Sequence, residues 1–386
     1  MKKMNILRRI NWVNTLFLLL TPVIGVGGML WLLSTGSIQW ATWVWAGVYL
    51  WMTGLSVTAG YHRLFSHQTY RAVWPLRLAF LLLASATFEG SALEWSTDHR
   101  NHHRYTDTDK DPYSIRKGFW YAHMGWLFML DARRRDFSNV TDLSADRIVS
   151  FQHRFFVPLA VIMGFGIPAA VAALWGDAWG GFIIAGALRM AVNHQFTFCI
   201  NSVCHYFGKR TYSDQQSARD HWVTAFFTYG EGYHNFHHQF SLDYRNGVRL
   251  FHMDPTKWLI YGLSRVGLAY HLRRVSTARI IRYRLQMDEK QLMGQSLKRY
   301  GSLKEPIETV IHPVREGILR VLSQMEKLEN EYRELRASRL SNAWSKAYDP
   351  HVRLKEYRQR LKAMRQELKS YRMLWTQLIK RPLSYA

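Results

Sequence analysis

Long apolar runs alternate with polar stretches over the first 200 residues of the chain, whereas charged residues dominate the last hundred. Four of these runs are long enough to cross a bilayer as helices. They comprise residues 14–34, 40–61, 158–175 and 179–200. Buried helices of a soluble protein are the alternative, but the pairing of the runs and their charged flanks favour spans. The pattern predicts an all-α integral membrane protein with four transmembrane helices and a cytosolic helical cap.

Charge asymmetry predicts how these spans are oriented. Lys2, Lys3, Arg8 and Arg9 precede the first run, and the turn at 35–39 carries no charge. Because cytoplasmic flanks are rich in Lys and Arg, we expect both termini on the cytoplasmic face and the short turns outside. We expect a bacterial cell membrane rather than the endoplasmic reticulum. The apolar segment 78–88 is too short to span, so we expect it to be interfacial or re-entrant.

The overall composition narrows the classes of protein further. The net charge of +23 suits anionic lipids and phosphorylated ligands. The membrane explains this charge, so we expect no nucleic-acid partner. Only Cys199 and Cys204 are present, which excludes a disulfide framework or a cysteine-ligated cluster. The chain nevertheless contains 17 histidines, an excess that calls for an explanation.

Nine histidines form three tight clusters and one outlier, all predicted on the cytoplasmic face. They are His62 and His67; His99, His102 and His103; His234, His237 and His238; and the outlier His205.

The spacing of these clusters suits metal ligation. H-x-x-H-H places three imidazoles on one face of a helix. Burying nine imidazoles without partners would be costly, and neutral imidazole is a common metal ligand. Nine ligands exceed what one ion holds, so two ions are predicted. Iron suits this number of ligands better than zinc, which usually takes three or four, although a structural zinc site is the alternative.

The motifs around these histidines resemble the membrane fatty-acid desaturases of the stearoyl-CoA type. The resemblance runs from about residue 40 to residue 283. It is carried by G-Y-H-R-L-F-S-H at 60–67, E-W-S-T-D-H-R-N-H-H at 94–103, D-P at 111–112, G-W-L at 125–127, N-S-V-C-H at 201–205 and G-E-G-Y-H-N-F-H-H at 230–238.

The resemblance implies a di-iron site and its ligand set. One iron would be held by His62, His67, His99, His103 and His237. The other would be held by His102, His205, His234 and His238, with Asn201 reaching it through a water molecule. Asp98 would lie near the acyl carrier; the alternative is that it caps the N-terminus of its helix.

The same resemblance implies an O₂-dependent desaturase that places a cis double bond, at position 9, in a saturated acyl chain for unsaturated fatty acid biosynthesis. Electrons would come from a separate donor such as a ferredoxin, a cytochrome or a flavoprotein reductase. A bent apolar tunnel would hold the chain, with Trp95, Phe196, Phe198 and Phe227 as candidate lining residues. A three-box hydroxylase and a non-catalytic scaffold acting through its tail are the rival interpretations.

Two departures from the family pattern concern the acyl carrier. Thr97 stands where animal acyl-CoA members carry Arg, and Leu130-Asp131 replaces a basic pair. Acyl-CoA stays favoured, with acyl carrier protein and phospholipid as alternatives. Arg133, Arg134 and Arg135 follow closely as candidate phosphate contacts or contacts to lipid headgroups.

The last part of the chain has a different pattern. We place a domain boundary between residues 302 and 303. Apolar residues then recur at alternating spacings of three and four, which predicts a coiled-coil-like helical hairpin broken near Pro350. The two sets are Ile318, Val321, Met325, Leu328, Tyr332 and Leu335, and Leu354, Tyr357, Leu361, Met364, Leu368, Tyr371, Trp375 and Leu378. This hairpin could cover the catalytic domain, form an oligomer or bind a partner.

Overall fold

The computed structural model describes residues 9–130, 136–300, 311–340 and 350–380, and these are mostly helical. In the membrane-type part, the α-helices are α1 (Trp12–Ser34), α2 (Trp40–Leu55), α3 (Trp74–Ser85), α4 (Ala92–Tyr105), α5 (Phe119–His123), α6 (Thr141–Ser144), α7 (Arg147–Arg154), α8 (Phe156–Val161), α9 (Ile167–Ala173), α10 (Ala178–Gly180), α11 (Arg189–Tyr206), α12 (Trp222–Phe227), α13 (His234–Gln239) and α14 (Pro255–Arg265). The C-terminal helices are α15 (Thr277–Tyr300), α16 (His312–Leu340) and α17 (Pro350–Lys380).

Shorter elements connect and extend these helices. The π-helical segments are Ser56–Ser66, Ile162–Gly166 and Gly181–Leu188, and the 3₁₀ turns are Ile115–Lys117, Gly125–Phe128 and Phe137–Val140. Strand β1 (Arg71–Ala72) pairs antiparallel with β2 (Ala269–Tyr270), with Arg71 opposite Tyr270.

All four predicted apolar runs are helical. The first run forms the single helix α1. Each of the other three runs combines α-helix with a π-helical segment. Among the described residues, Trp12–Ser34 and Phe156–Ala173 are the two helices that are long and apolar enough to cross a membrane by length and composition. Segment 78–88 lies mostly in the short apolar helix α3.

The buried carboxylate of Asp177 joins the two turns predicted to share one side of the membrane. Asp177 caps α10 by accepting from the backbone N–H of Gly180 at 2.9 Å. It also accepts from the N–H of Gln39, at 3.1 Å, and from the hydroxyl of Thr42. The turns at 35–39 and 176–178 therefore lie at the same end of the helices.

The chain packs as two compact units, Met1–Val275 and Ser276–Ala386. Helix α15, placed in the first domain by the sequence prediction, packs with the second unit. Within that unit α16 and α17 run antiparallel, since Tyr371 lies against Gly317 while the Tyr357 hydroxyl donates to Glu331 at 2.9 Å. The buried residues of this unit include Ile318, Val321, Leu328, Leu361, Leu368 and Trp375. They belong to the predicted apolar sets; coiled-coil supertwisting stays a prediction.

Gly25 marks a close approach of two backbones in the first unit. A Cβ built there lies 2.7 Å from Cα of Leu188, which is closer than side chains pack. Gly27, two residues along α1, has nothing within 4 Å of such a Cβ. Helix α1 thus contacts the segment Gly181–Leu188 at backbone distance.

We expect Gly25→Val to destabilise the protein by about 1–3 kcal/mol, because the added methyl groups force two backbones apart. Gly27→Val, a matched control in the same helix, should leave stability within about 1 kcal/mol. Thermal unfolding in detergent measures both. Equal loss in the two variants would show that helix propensity, rather than the contact with Leu188, is responsible.

Candidate metal centre

Local helix geometry delivers the first histidine pair to one face. His62 and His67 are five residues apart, which would separate them around an α-helix. Here His62 lies within the π-helical segment Ser56–Ser66 and His67 directly follows it, and the N–H of His67 donates to the carbonyl of His62 at 3.1 Å. Because a π-turn bonds residue i to i+5, the two rings lie on the same side of the chain.

The second cluster lies within α4, whose start is fixed by a capping box. The Ser91 hydroxyl accepts from the N–H of Glu94, and the Glu94 carboxylate accepts from the N–H of Ser91. Asp98 is therefore inside the helix, and the alternative that it caps this helix is wrong. Three of the nine histidines project from this helix, three more from α13, and His205 lies near the end of α11.

The nine side chains converge as two groups. In each group one ligand-type nitrogen from every residue lies within 4.8 Å of all the others. One group consists of His62, His67, His99, His103 and His237, and the other of His102, His205, His234 and His238. This is the same division that the family resemblance implies.

The facing nitrogens are the Nε2 atoms. In the first group they lie 3.0 Å apart between His62 and His237 and 2.8 Å apart between His67 and His99. In the second, Nε2 of His234 lies 3.1 Å from those of both His205 and His238. Lone pairs converging at such distances suit a cation between them, which is the arrangement a metal needs.

Burial keeps seven of these rings neutral, the form that binds metals. It lowers the pKa of the histidines, and neighbouring rings lower it further, at His67, His99, His103, His205, His237 and His238. For His234 the same burial brings the pKa to about 3. These histidines therefore stay unprotonated across the physiological range.

A buried ionic cluster orients His62. Its Nδ1–H donates to Glu231 at 2.9 Å, which leaves Nε2 free to face the group. Arg63 holds Glu231 at 2.8 Å and Asp254 at 3.0 Å, with all three side chains buried. Burial alone would raise the pKa of Glu231, but the charges of His62 and Arg63 lower it to about 2. Glu231 is thus a carboxylate at every relevant pH.

The turn after α4 orients two ligands of the second group. Nδ1–H of His102 donates to Asp111 at 2.9 Å. Nδ1–H of His205 donates to the Ser217 hydroxyl at 2.7 Å, and that hydroxyl donates to Asp107 at 2.5 Å. Asp111 also accepts from the N–H of Asp107, at 3.1 Å. One short segment therefore fixes the tautomers of both His102 and His205.

Sequence reasoning did not assign a role to Glu231, Asp111, Asp107 or Ser217. Glu231 and Asp111 lie within the motifs quoted above, so an acidic residue beside a histidine cluster was the available signal. Ser217 and Asp107 lie 110 positions apart, and only the fold brings them together.

We expect Ser217→Ala to weaken metal retention at the second group by about 10- to 100-fold, since losing the partner of a ligating imidazole frees its ring and tautomer. Ser213→Ala is the matched control, because its hydroxyl accepts from Gln215 on the surface. Metal content after timed exposure to a chelator measures the effect. Identical loss curves for both variants and the parent would contradict the positioning role.

A cavity of about 600 Å³ reaches both groups. His62 and His99 of the first group and His102 and His234 of the second line it. Among the candidate residues from the sequence analysis, the lining also includes Trp95, Asp98, Phe196, Phe198 and Asn201. Phe227 is not among the lining residues and packs on Phe196 instead, at 5.5 Å between ring centroids. Arg133, Arg134 and Arg135 lie outside the described residues.

Glu89 brings a carboxyl group to the wall of this cavity. It accepts hydrogen bonds from Thr197 at 3.0 Å and from Trp95 and Asn193 at 3.3 Å. Burial outweighs these bonds and raises the pKa of Glu89 to about 7. The Glu89 carboxyl group is therefore protonated between about pH 4.5 and pH 7, where an ordinary glutamate is charged.

We expect a pH dependence of stability from Glu89. Between its ordinary pKa of 4.5 and about 7, the folded protein keeps a proton that the unfolded chain releases. Stability should therefore fall as pH rises through this window, by about 3 kcal/mol, and then level off. Thermal unfolding across the window should show a shallower fall for Glu89→Gln. Parallel curves for the two proteins would contradict the assignment.

Together the structure defines a helical protein with two all-histidine groups, each able to hold a metal ion, at the wall of one cavity. The chain belongs to the fatty acid desaturase family, whose model matches residues 37–271. It is 45% identical over 287 residues to the "Probable acyl-CoA desaturase" of Schizosaccharomyces pombe and 40% identical over 296 residues to acyl-CoA desaturase 1 of Saccharomyces cerevisiae.

Human stearoyl-CoA desaturase is 33% identical over 276 residues, covering 70% of this chain and 76% of the human protein. The matches to the two yeast proteins cover 74% and 75% of this chain but only 59% and 57% of the relatives. The chain thus spans less than two thirds of the yeast relatives' length.

Proposed function

We propose that the protein is an O₂-dependent acyl desaturase that introduces a cis double bond into a saturated fatty acyl chain. The observation that carries this proposal is the contact of both histidine groups with one cavity. Family membership and the names of the relatives support it. Stearoyl-CoA desaturase names among them support position 9 and acyl-CoA as the carrier.

The donor set fits two iron ions. His62, His67, His99, His103 and His237 would hold one, and His102, His205, His234 and His238 the other, with Asn201 reaching it through water. Burial keeps seven of the nine rings unprotonated, and carboxylates or a hydroxyl orient His62, His102 and His205. When bound, iron would supply the O₂ activation needed to oxidise an unactivated methylene group.

The chain's own residues hold the substrate. An alkyl chain offers no polar group for recognition, so apolar walls must fix which carbons face the histidines. Trp95 stacks on His99 with 4.8 Å between ring centroids, and it lines the cavity there. Asp98, farther along α4, is our candidate contact for the acyl carrier. Electrons would come from a separate ferredoxin, cytochrome or flavoprotein reductase.

Lipid analysis tests the reaction. Expressed in a host that lacks desaturases, together with a donor chain, the protein should produce cis-monoenes. His102→Ala should abolish them, a loss of at least about 100-fold, because it removes a ligand of the second group. Gas chromatography with chemical tagging locates the double bond. Hydroxy acids without alkenes would indicate a hydroxylase, and unchanged lipids with a working donor would indicate a scaffold.

We also propose four membrane spans with the histidines on the cytoplasmic side. Asp177 brings the 35–39 and 176–178 turns to one end of the helices, and His62 and His67 lie beyond the other end of α2. The named relatives come from two yeasts and human, so they give no support to the expected bacterial membrane.

A topology reporter inserted after Gly36 should behave as extracytoplasmic, whereas the same reporter at the C-terminus should behave as cytoplasmic. The charged residues before the first span give the physical reason. A cytoplasmic signal from the Gly36 fusion would contradict the four-span arrangement.

A further inference from the structure

Helix α17 is far more basic than its neighbour α16, and its basic residues lie mainly on one side of the helix. It contains nine basic and two acidic residues, whereas its antiparallel neighbour α16 contains six and five. The two helices share a hairpin and solvent, so a general need for solubility does not explain the difference.

Six of the basic side chains form one stripe. Lys355, Arg358, Lys362, Arg365, Lys369 and Arg372 recur at alternating spacings of three and four, and all are exposed. Such spacing places them on one face of the helix over about 26 Å. The buried residues Leu361 and Leu368 of α17 directly precede the stripe residues Lys362 and Lys369, so the stripe borders the packed face.

The opposite flank of the same helix lacks this bias. Glu356, Arg360 and Glu367 there carry mixed signs. Like charges three and four residues apart on a helix repel one another. A long exposed stripe of one sign therefore costs the isolated helix stability, and an anionic surface would relieve that cost.

We propose that this basic stripe of α17 binds the anionic headgroups of a lipid membrane. A straight row of cations matches a flat surface, and clusters of four to eight Lys or Arg on a helix are typical of binding to acidic lipids. Met373, which is 52% exposed, follows Lys369 by four positions and adds an apolar contact beside the stripe. The inference rests on the proposed membrane location and is independent of the reaction.

The test uses the full chain in nanodiscs of phosphatidylcholine, alone or with about 30% phosphatidylglycerol. A cysteine at Gln366, an exposed position beside the stripe, reports access through its reaction with an uncharged maleimide. The parent chain, in which Cys204 is buried and Cys199 partly buried, gives the background. Labelling should slow by about threefold or more in the anionic discs and recover at high salt.

Two matched triple variants, each made in the Gln366→Cys chain, separate the stripe from general charge. Lys355/Lys362/Lys369→Gln should lose most of the slowing. Lys327/Arg333/Arg360→Gln, which removes three exposed cations elsewhere on the hairpin, should keep it. All substitutions are at exposed positions, and circular dichroism checks the helices.

Equal labelling rates in neutral and anionic discs would overturn the proposal, as would equal slowing in both triple variants. If instead an acidic plant-type ferredoxin shielded the reporter in neutral discs while anionic lipid did not, the stripe would be a protein-binding surface. A chain that failed to enter discs at all would contradict the membrane location itself. If labelling slowed in anionic discs while the protein made no monoene product, lipid binding by the stripe would stand and the proposed reaction would fail.

Discussion

Nine imidazoles packed together in a buried space are the constraint on which the rest of this structure depends. Their ring nitrogens face one another at about hydrogen-bond distance, an arrangement that only shared protons or a cation stabilises. Burial disfavours protonation, so metal ions are the fitting cations. The capping box of α4, the π-turn before His67 and the carboxylate of Glu231 all serve to hold these rings in place.

The cavity makes the two histidine groups accessible to a substrate. A metal pair sealed in the core would be structural, but both groups here open onto the same cavity. The Glu89 carboxyl group in the cavity wall is hydrogen-bonded to Trp95 and Thr197, and Trp95 stacks on His99. An acyl chain lying there would be positioned by shape on most of its length and by polarity near the histidines.

Much of this arrangement could be predicted from the sequence, for physical reasons. Apolar run length predicts helices, and the H-x-x-H-H spacing places three rings on one helical face, as α4 and α13 show. What could not be predicted depends on contacts between distant segments. The Asp107–Ser217–His205 chain needs the fold, and so does the cavity with Phe227 outside its wall. The Asp98 cap was wrong because Ser91 and Glu94 provide a stronger start earlier in the helix.

The central proposal is that two iron ions, held by these histidines and at the second group also by Asn201 through water, carry the reaction. Metal analysis combined with iron K-edge X-ray absorption on the iron-loaded protein tests it most directly. We predict about two irons per chain, with first-shell scattering from nitrogen and oxygen, outer-shell imidazole features and no sulfur ligand. A single iron per chain, or a first shell without imidazole features, would contradict the account.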